Sequence, residues 1–358
     1  MLKVHPDIEQ LVPYVPGKPI EELQRELGLS RIVKLASNEN PIGPSPRAIA
    51  VLHETAATLN RYPDGGGFRL RGALAERWKV GPDHVILGNG SDEVIGLLAR
   101  TFLAPGEEAV MASQTFVIYH MEVTAAHGVP LVVPMTDGRH DLVAMSNAVT
   151  DRTRLLFVCN PNNPTGTMVT KAEVEALMRH VPEHVIVVFD EAYYEYVDAP
   201  EYPDALRYVK EGRNVIVLRT FSKIYGLAGL RIGYGLTTPE IVAYLNRLRP
   251  PFNANSMAQA AAVAALQDEA HVTASRTLNR DQMSVVRQEL ERMGCAPLPS
   301  QTNFLYFDAR RDGREVFQAL LHEGVIVRHL GGQMLRVSIG LPDENQVFLS
   351  ALARVLKR

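Results

Sequence analysis

Apolar and polar positions along the chain fall into two textures. From about residue 46 to 250, short apolar runs alternate with segments whose apolar residues recur at helical spacing. The runs at 85–87, 109–111, 130–133, 154–159, 185–189 and 214–218 read as strands. Several lack any alternation, which marks strands covered on both faces. Residues 69–79, a segment ending near Leu103, and 171–180 read as helices between them. Strand–helix alternation over this length predicts an α/β fold with a mainly parallel sheet covered by helices.

Beyond Pro250 the texture changes. Residues 256–293 are alanine-rich and helical in two or more segments, 303–307, 325–327 and 335–339 read as strands, and 344–356 reads as a closing helix. This predicts a smaller α+β domain. At the other end, prolines at 13, 16 and 19 make 11–20 an extended N-terminal arm, followed by a short helix at 21–27 and a short strand at 32–35. The expected division is 1–36 as arm and small-domain segment, 37–250 as large domain, and 251–358 as small C-terminal domain.

Length agrees, since 358 residues exceed what one core usually supports. The net charge of −3 gives no broad basic field, so nucleic-acid binding is not expected. No apolar run is long enough to span a membrane, and 1–10 lack the apolar core of a signal peptide. Two cysteines, Cys159 and Cys295, suffice for neither a disulfide framework nor a metal cluster, and HExxH is absent. A cytoplasmic protein with reduced thiols and no metal is expected.

Chemistry concentrates where the central strands end. CNPNNPTG (159–166) follows the strand at 154–158, Asp190 and Tyr193 follow 185–189, and Ser222-Lys223 follow 214–218. In open parallel sheets, ligands bind beyond such ends. A fourth stretch, GNGSD (88–92), opens a helix whose free N–H groups could hold a phosphate. Singly, each has a plainer reading: a turn with a Ser cap, a proline-rich turn, a magnesium-binding strand end, a solvated lysine. GxxxxGK[ST] is absent, which removes the ATPase reading. Together they suit a pyridine cofactor used as an electron sink. Such a cofactor needs a carboxylate on its ring nitrogen, a lysine for its aldehyde, phosphate ligands, and donors to its ring hydroxyl. Asp190, Lys223, the Ser91 helix start with Arg231, and Asn163 with Tyr193 fill those roles.

CNPNNPTG, VVFDEAYYEY (187–196) and TFSKIYGLAGLRIGYG (220–235), in that order, resemble the fold-type-I pyridoxal-phosphate aminotransferases over nearly the whole chain. YVPG (14–17), LASNENP (35–41), NRYPD (60–64) and GNGSDE (88–93) resemble the histidinol-phosphate branch more narrowly. The resemblance implies that Lys223 bonds the pyridoxal 5'-phosphate aldehyde and then moves the proton. It implies that Asp190 pairs with the ring nitrogen, that Asn163 and Tyr193 bond the ring hydroxyl, and that Phe116 stacks on the ring. Ser91, Asp92, Thr220, Ser222 and Arg231 would bind the phosphate, with Tyr62 reaching it across a homodimer interface. Arg336 would grip the substrate's anionic end, Arg328 would be a second such arginine, and Tyr14 and Asn38 would touch the substrate. The stretch 329–335 is shorter than in longer versions of the family, which puts the role of Arg328 in question. The implied reaction converts L-histidinol phosphate and 2-oxoglutarate to imidazole acetol phosphate and glutamate, in histidine biosynthesis. An aromatic amino-acid aminotransferase, a threonine-phosphate decarboxylase and a non-catalytic cofactor-binding regulator are the alternatives; the last would need a DNA-binding domain, for which the motifs leave no room.

Overall fold

The computed structural model describes residues 2–13, 18–29 and 31–357. In chain order the strands are β1 (Val33–Lys34), β2 (Val85–Gly88), β3 (Glu108–Ala112), β4 (Val129–Val133), β5 (Thr153–Cys159), β6 (Ile186–Asp190), β7 (Val215–Thr220), β8 (Gly233–Thr237), β9 (Ala296–Pro297), β10 (Phe304–Asp308), β11 (Val325–Ile326), β12 (Arg328–His329) and β13 (Met334–Ser338).

Seven of them form the central sheet, in the order β2-β8-β7-β6-β5-β3-β4. Neighbours from β7 to β4 pair in parallel, and β8 alone runs against both its neighbours. The absence of alternation in the sequence has the expected cause. Val187, Phe189, Val215 and Val217 face one core, while Ile186, Val188, Ile216 and Leu218 face another on the opposite side. Both faces are covered, so every position along these strands favours an apolar residue.

Strand β8 is absent from the sequence reading, because glycines at 233 and 235 weaken its pattern. The structure shows why they are there. A Cβ at Gly233 would stand 2.4 Å from the Ser91 backbone nitrogen, and one at Gly235 2.7 Å from Ile216 Cδ1. The first lets a helix start press against the sheet, and the second yields its space to a neighbouring strand's side chain.

The helix Lys171–His180 matches its expected bounds because it carries its own start signal. Thr170 and Glu173 form a reciprocal capping box. The long helical region divides into Ser256–Leu266 and Glu269–Arg292, with Asp268 capping the second by accepting from the His271 N–H. That second helix joins two cores: Val272 packs in the central one, and Val286 and Leu290 in another. This other core holds Val33, Leu305, Phe307, Val337, Phe348 and Leu352. It lies against an antiparallel sheet ordered β12-β13-β10-β9, while β1 pairs in parallel with β11. No helix among the described residues is long and apolar enough to cross a membrane.

Candidate active site

Strand register brings the chemistry together. Cys159 of β5 lies beside Asp190 of β6, which lies beside Leu218 of β7. Thr220 of β7 and Gly88 of β2 both align with Gly233 of β8. The ends of β2, β5, β6 and β7 therefore open on one cavity of about 350 Å³. Twelve of the expected site residues line it: Asn38, Ser91, Asp92, Phe116, Asn163, Asp190, Tyr193, Thr220, Ser222, Lys223, Arg231 and Arg336. Arg328 is half-buried on β12, directly across from Arg336, and is not among the lining residues. Tyr62 is 82% exposed and stacks on Phe252 outside the cavity, with ring centroids 4.7 Å apart. Tyr14 lies outside the described residues.

At the floor, Asp190 is 3% exposed. Its Oδ2 accepts from the Tyr119 hydroxyl at 2.6 Å and its Oδ1 from the Ala192 N–H at 3.2 Å. Burial pushes its carboxyl up to about 6, and the Tyr119 hydrogen bond opposes that rise. Tyr119 is itself buried and stacked on Phe157 at 4.6 Å. Phe116 stands edge-on to Tyr119, at 5.7 Å. The sequence reading misses Tyr119. Its one signal is position, a helical step beyond Phe116.

Lys223 follows β7, with its Nζ 5.8 Å from the centroid of the Tyr193 ring. Desolvation brings its amine down to about 8, and the charge of Arg336 acts in the same direction. Tyr193 accepts at its hydroxyl from Asn38 Nδ2 at 2.9 Å, and burial pushes that hydroxyl above its ordinary range. Asn38 is fixed in turn by Ser338, which bonds its backbone N–H at 2.8 Å and its Oδ1 at 3.0 Å. Its φ of 57° suits asparagine, which enters left-handed backbone more readily than most residues. Arg336 donates from Nη1 to Asn163 Oδ1 at 2.5 Å and from Nη2 to the Ala36 carbonyl at 2.8 Å. Asn163 therefore keeps its amide N–H groups as donors.

The opposite wall is the start of the helix Ser91–Phe102. Gly90, at φ 82°, takes the cap position, so Ser91 begins the helix instead of capping it. Early N–H groups of a helix lack intrahelical partners, and they carry the positive end of its dipole. Arg231 reaches over this start. A Cβ at Gly90 would stand 2.5 Å from its Nη2, and its present anionic partner is Asp92 at 3.3 Å. Thr220 and Ser222 hydroxyls lie 3.0 Å apart beside it. Cationic guanidinium, orphan N–H groups and two hydroxyls are groups that could hold a dianionic phosphate.

A buried ion pair beneath the cavity is a second feature not read in the sequence. Arg219 binds Glu191 Oε2 at 2.6 Å. Its guanidinium lies 3.8 Å from the Trp78 ring and 3.5 Å from the Tyr194 ring. The pair joins β7, which leads to Lys223, to the residue after Asp190.

Comparison with known proteins places these features in a family. The family model for aminotransferase class I and II matches residues 30–352. The chain is 51% identical to histidinol-phosphate aminotransferase of Moorella thermoacetica, covering 98% of this chain and 92% of that protein. It is 49% identical to histidinol-phosphate aminotransferase 2 of Pseudomonas fluorescens, covering 99% and 97%. Among solved structures, histidinol-phosphate aminotransferase of Sinorhizobium meliloti in complex with pyridoxal-5'-phosphate superposes with a TM-score of 0.92 at 29% identity, covering 100% of this chain and 98% of that one. Thermus thermophilus aspartate aminotransferase, as a double mutant, shares the fold at a TM-score of 0.86 and 24% identity, covering 99% and 100%.

Proposed function

The chain belongs to the class I and II aminotransferases, and from that premise we propose that it transfers the amino group of L-histidinol phosphate to 2-oxoglutarate, with pyridoxal 5'-phosphate as cofactor, in histidine biosynthesis. The observation that carries the reading is the meeting of Lys223, Asp190 and Arg336 in one cavity walled by a helix start and Arg231. The residues fit the cofactor on the structure's own terms. Gly90 and Gly233 leave room where any side chain would collide with Arg231 or Ser91, and Asp190 is a buried carboxylate waiting for a cation.

When bound, the cofactor supplies an aldehyde that exchanges amino groups and a ring that accepts electrons. The chain's own residues do the rest. Asp190 would hold a proton on the ring nitrogen, where a positive charge would draw the carboxyl back towards its ionised form. Lys223 would hold the cofactor at its aldehyde, and its amine would carry the proton at the substrate's Cα. An amine lowered to about 8 is closer to matched for that task than an ordinary lysine. Asn163, oriented by Arg336, would donate to the ring hydroxyl. Tyr193, held by Asn38 and Ser338, would donate to it as well. Arg336 receives the substrate's anionic end, and a guanidinium fork suits both phosphate and carboxylate, as the two half-reactions demand. Arg328 lies one strand away as a second cation.

The same reading makes the enzyme a cytoplasmic homodimer in which Tyr62 reaches the partner's phosphate site. The outward exposure of Tyr62 supports this, and so do two free cysteines of the kind a reducing compartment maintains. We divide the chain at 36/37 and 250/251 into arm, cofactor domain and small domain, in keeping with the separate core around β10 and β13.

Replacing Lys223 by Ala is expected to abolish the visible absorption of the lysine-bound cofactor and nearly all turnover. Wild-type steady-state rates in that variant would sink the assignment. Competition between histidinol phosphate and phenylalanine tests the substrate. Preference for phenylalanine would assign an aromatic amino-acid aminotransferase instead.

A further inference from the structure

We propose that Asn279 and Asn303 hold one buried water molecule between the two cores, and that this water makes Asn303 a positioning residue for the active-site loop at 37–40. Both asparagines line a small cavity of about 10 Å³, together with Asn40, Tyr196 and Ser275. That is room for a single water.

Two acceptors at this spot call for a donor. Asn303 is 1% exposed, and its Nδ2 is committed to the loop, donating to the Asn38 carbonyl at 3.0 Å and the Glu39 carbonyl at 3.4 Å. Asn279 Nδ2 donates to the Thr302 carbonyl at 3.0 Å. Carbonyls only accept, so these bonds fix which end of each amide is nitrogen. The other ends, Asn279 Oδ1 and Asn303 Oδ1, are sealed from solvent, and neither has a donor among the described residues. Buried acceptors are nearly always satisfied, by protein or by ordered water. A water has two O–H groups to give, one for each oxygen. Its own oxygen can accept from Ser275, whose hydroxyl takes a hydrogen bond from Asn40 Nδ2 at 2.9 Å and so keeps its O–H to donate. Ser275 and Asn279 stand one turn apart on the helix Glu269–Arg292, on the same face. Three hydrogen bonds are the usual complement of a buried water.

The groups held here belong to the cavity above. Asn303 grips the carbonyls of Asn38 and Glu39, which both line it, and Asn38 donates to the Tyr193 hydroxyl. Asn40 Nδ2 donates at 2.7 Å to the carbonyl of Ile224, the residue after Lys223. Asn279 comes from the helix that packs in both cores, and Asn303 stands one residue before β10. A water bonded to Asn303 Oδ1 keeps that amide from turning, so its Nδ2 stays aimed at the loop. The positioning role rests on the reading of Tyr193 as a donor to the cofactor's ring hydroxyl; the water does not.

High-resolution diffraction from holoenzyme crystals tests the water. We expect ordered density roughly 2.5–3.0 Å from both Oδ1 atoms. A dry cavity, or a Tyr196 hydroxyl that donates directly to Asn303 Oδ1, overturns it. The positioning role is read from the pH at which the visible band of the lysine-bound cofactor changes. A donor to the ring oxygen draws charge from it, and that oxygen shares a proton with the Lys223 nitrogen. Losing the donor holds the proton more firmly and raises the midpoint. Tyr193→Phe gives the reference shift. Asn303→Leu, uncharged and of similar size, should shift the midpoint the same way, and the double variant should shift it no further than Tyr193→Phe alone. Asn279→Leu leaves Asn303 in place, should expel the water, and should give a smaller shift of the same sign. Additive shifts in the double variant, or a midpoint unmoved when the water is lost, overturn the positioning role. A midpoint unmoved by Tyr193→Phe overturns the reading of Tyr193, and the positioning role with it.

Discussion

Lys223 and Asp190 work through what surrounds them, and both surroundings can be tested. The amine reacts with an aldehyde only when neutral. Desolvation and Arg336 lower its pKa to about 8, so the fraction ready to react rises with pH and levels off above that value. Apoenzyme should therefore capture pyridoxal 5'-phosphate at a rate whose midpoint lies near pH 8, followed by stopped-flow absorbance. Arg336→Met removes a neighbouring positive charge and should move the midpoint upward. A midpoint unmoved by that change would mean that Arg336 does not act on the amine. For Asp190 the lever is Tyr119, whose hydrogen bond favours the ionised carboxylate. Tyr119→Phe should lower kcat/KM by about 10-fold or more, from the ~1.5–3 kcal/mol of a bond to a charged group. It should also shift the acidic limb of the rate profile to higher pH, because the carboxyl then holds its proton longer. Wild-type kinetics with an unshifted acidic limb would make Tyr119 a packing residue. The aspartate is legible in the sequence because it ends the apolar run at 185–189, and the lysine because it follows the run at 214–218 within a short polar and glycine-rich stretch. Tyr119 is not, because its partner lies 71 positions away and nothing local in a helix start names it.

At the scale of elements, the helix start that walls the cavity rests on β8, the strand the sequence hid. Apolar periodicity exposes strands that bury side chains. A strand chosen for having none at two positions leaves no such trace. Gly233→Ala would set a methyl group 2.4 Å from the Ser91 nitrogen and 2.7 Å from the Gly90 carbonyl carbon. Backbone cannot swing aside as a side-chain tip can, so overpacking of about 1–3 kcal/mol is expected. The shift should push the helix start off its line and weaken cofactor binding, read by equilibrium dialysis alongside thermal melting. Gly72 is the control. It sits in the helix Phe68–Trp78 with nothing within 4 Å of an added Cβ. Gly72→Ala should stabilise by about 0.5–1 kcal/mol through helix propensity, with binding unchanged. If both substitutions behave alike, the close approach of β8 to the helix start has no bearing on the phosphate. The contrasting element is Lys171–His180, fully legible because its capping box is written within four residues.

For the whole molecule, the open question of geometry is where Tyr62 acts. Its ring is not among those lining the cavity of its own chain; it is 82% exposed and backed by Phe252, itself 44% exposed. An aromatic pair left outside a well-packed core is what an isologous contact would cover, and two-fold symmetry would then carry each Tyr62 to the other subunit's phosphate wall. Complementation decides it. Lys223→Ala chains lack the reacting amine but keep Tyr62, and Tyr62→Phe chains keep the amine but lack the hydroxyl. If Tyr62 acts across the interface, a mixed dimer contains one site with Lys223 from one chain and Tyr62 from the other. Unfolding and refolding equal amounts of the two variants together should then restore about a quarter of the wild-type sites, by random pairing under that symmetry. If Tyr62 acts within its own chain, no mixed dimer holds an intact site. Activity then stays at the level of the Tyr62→Phe chains alone, and the shared active site falls.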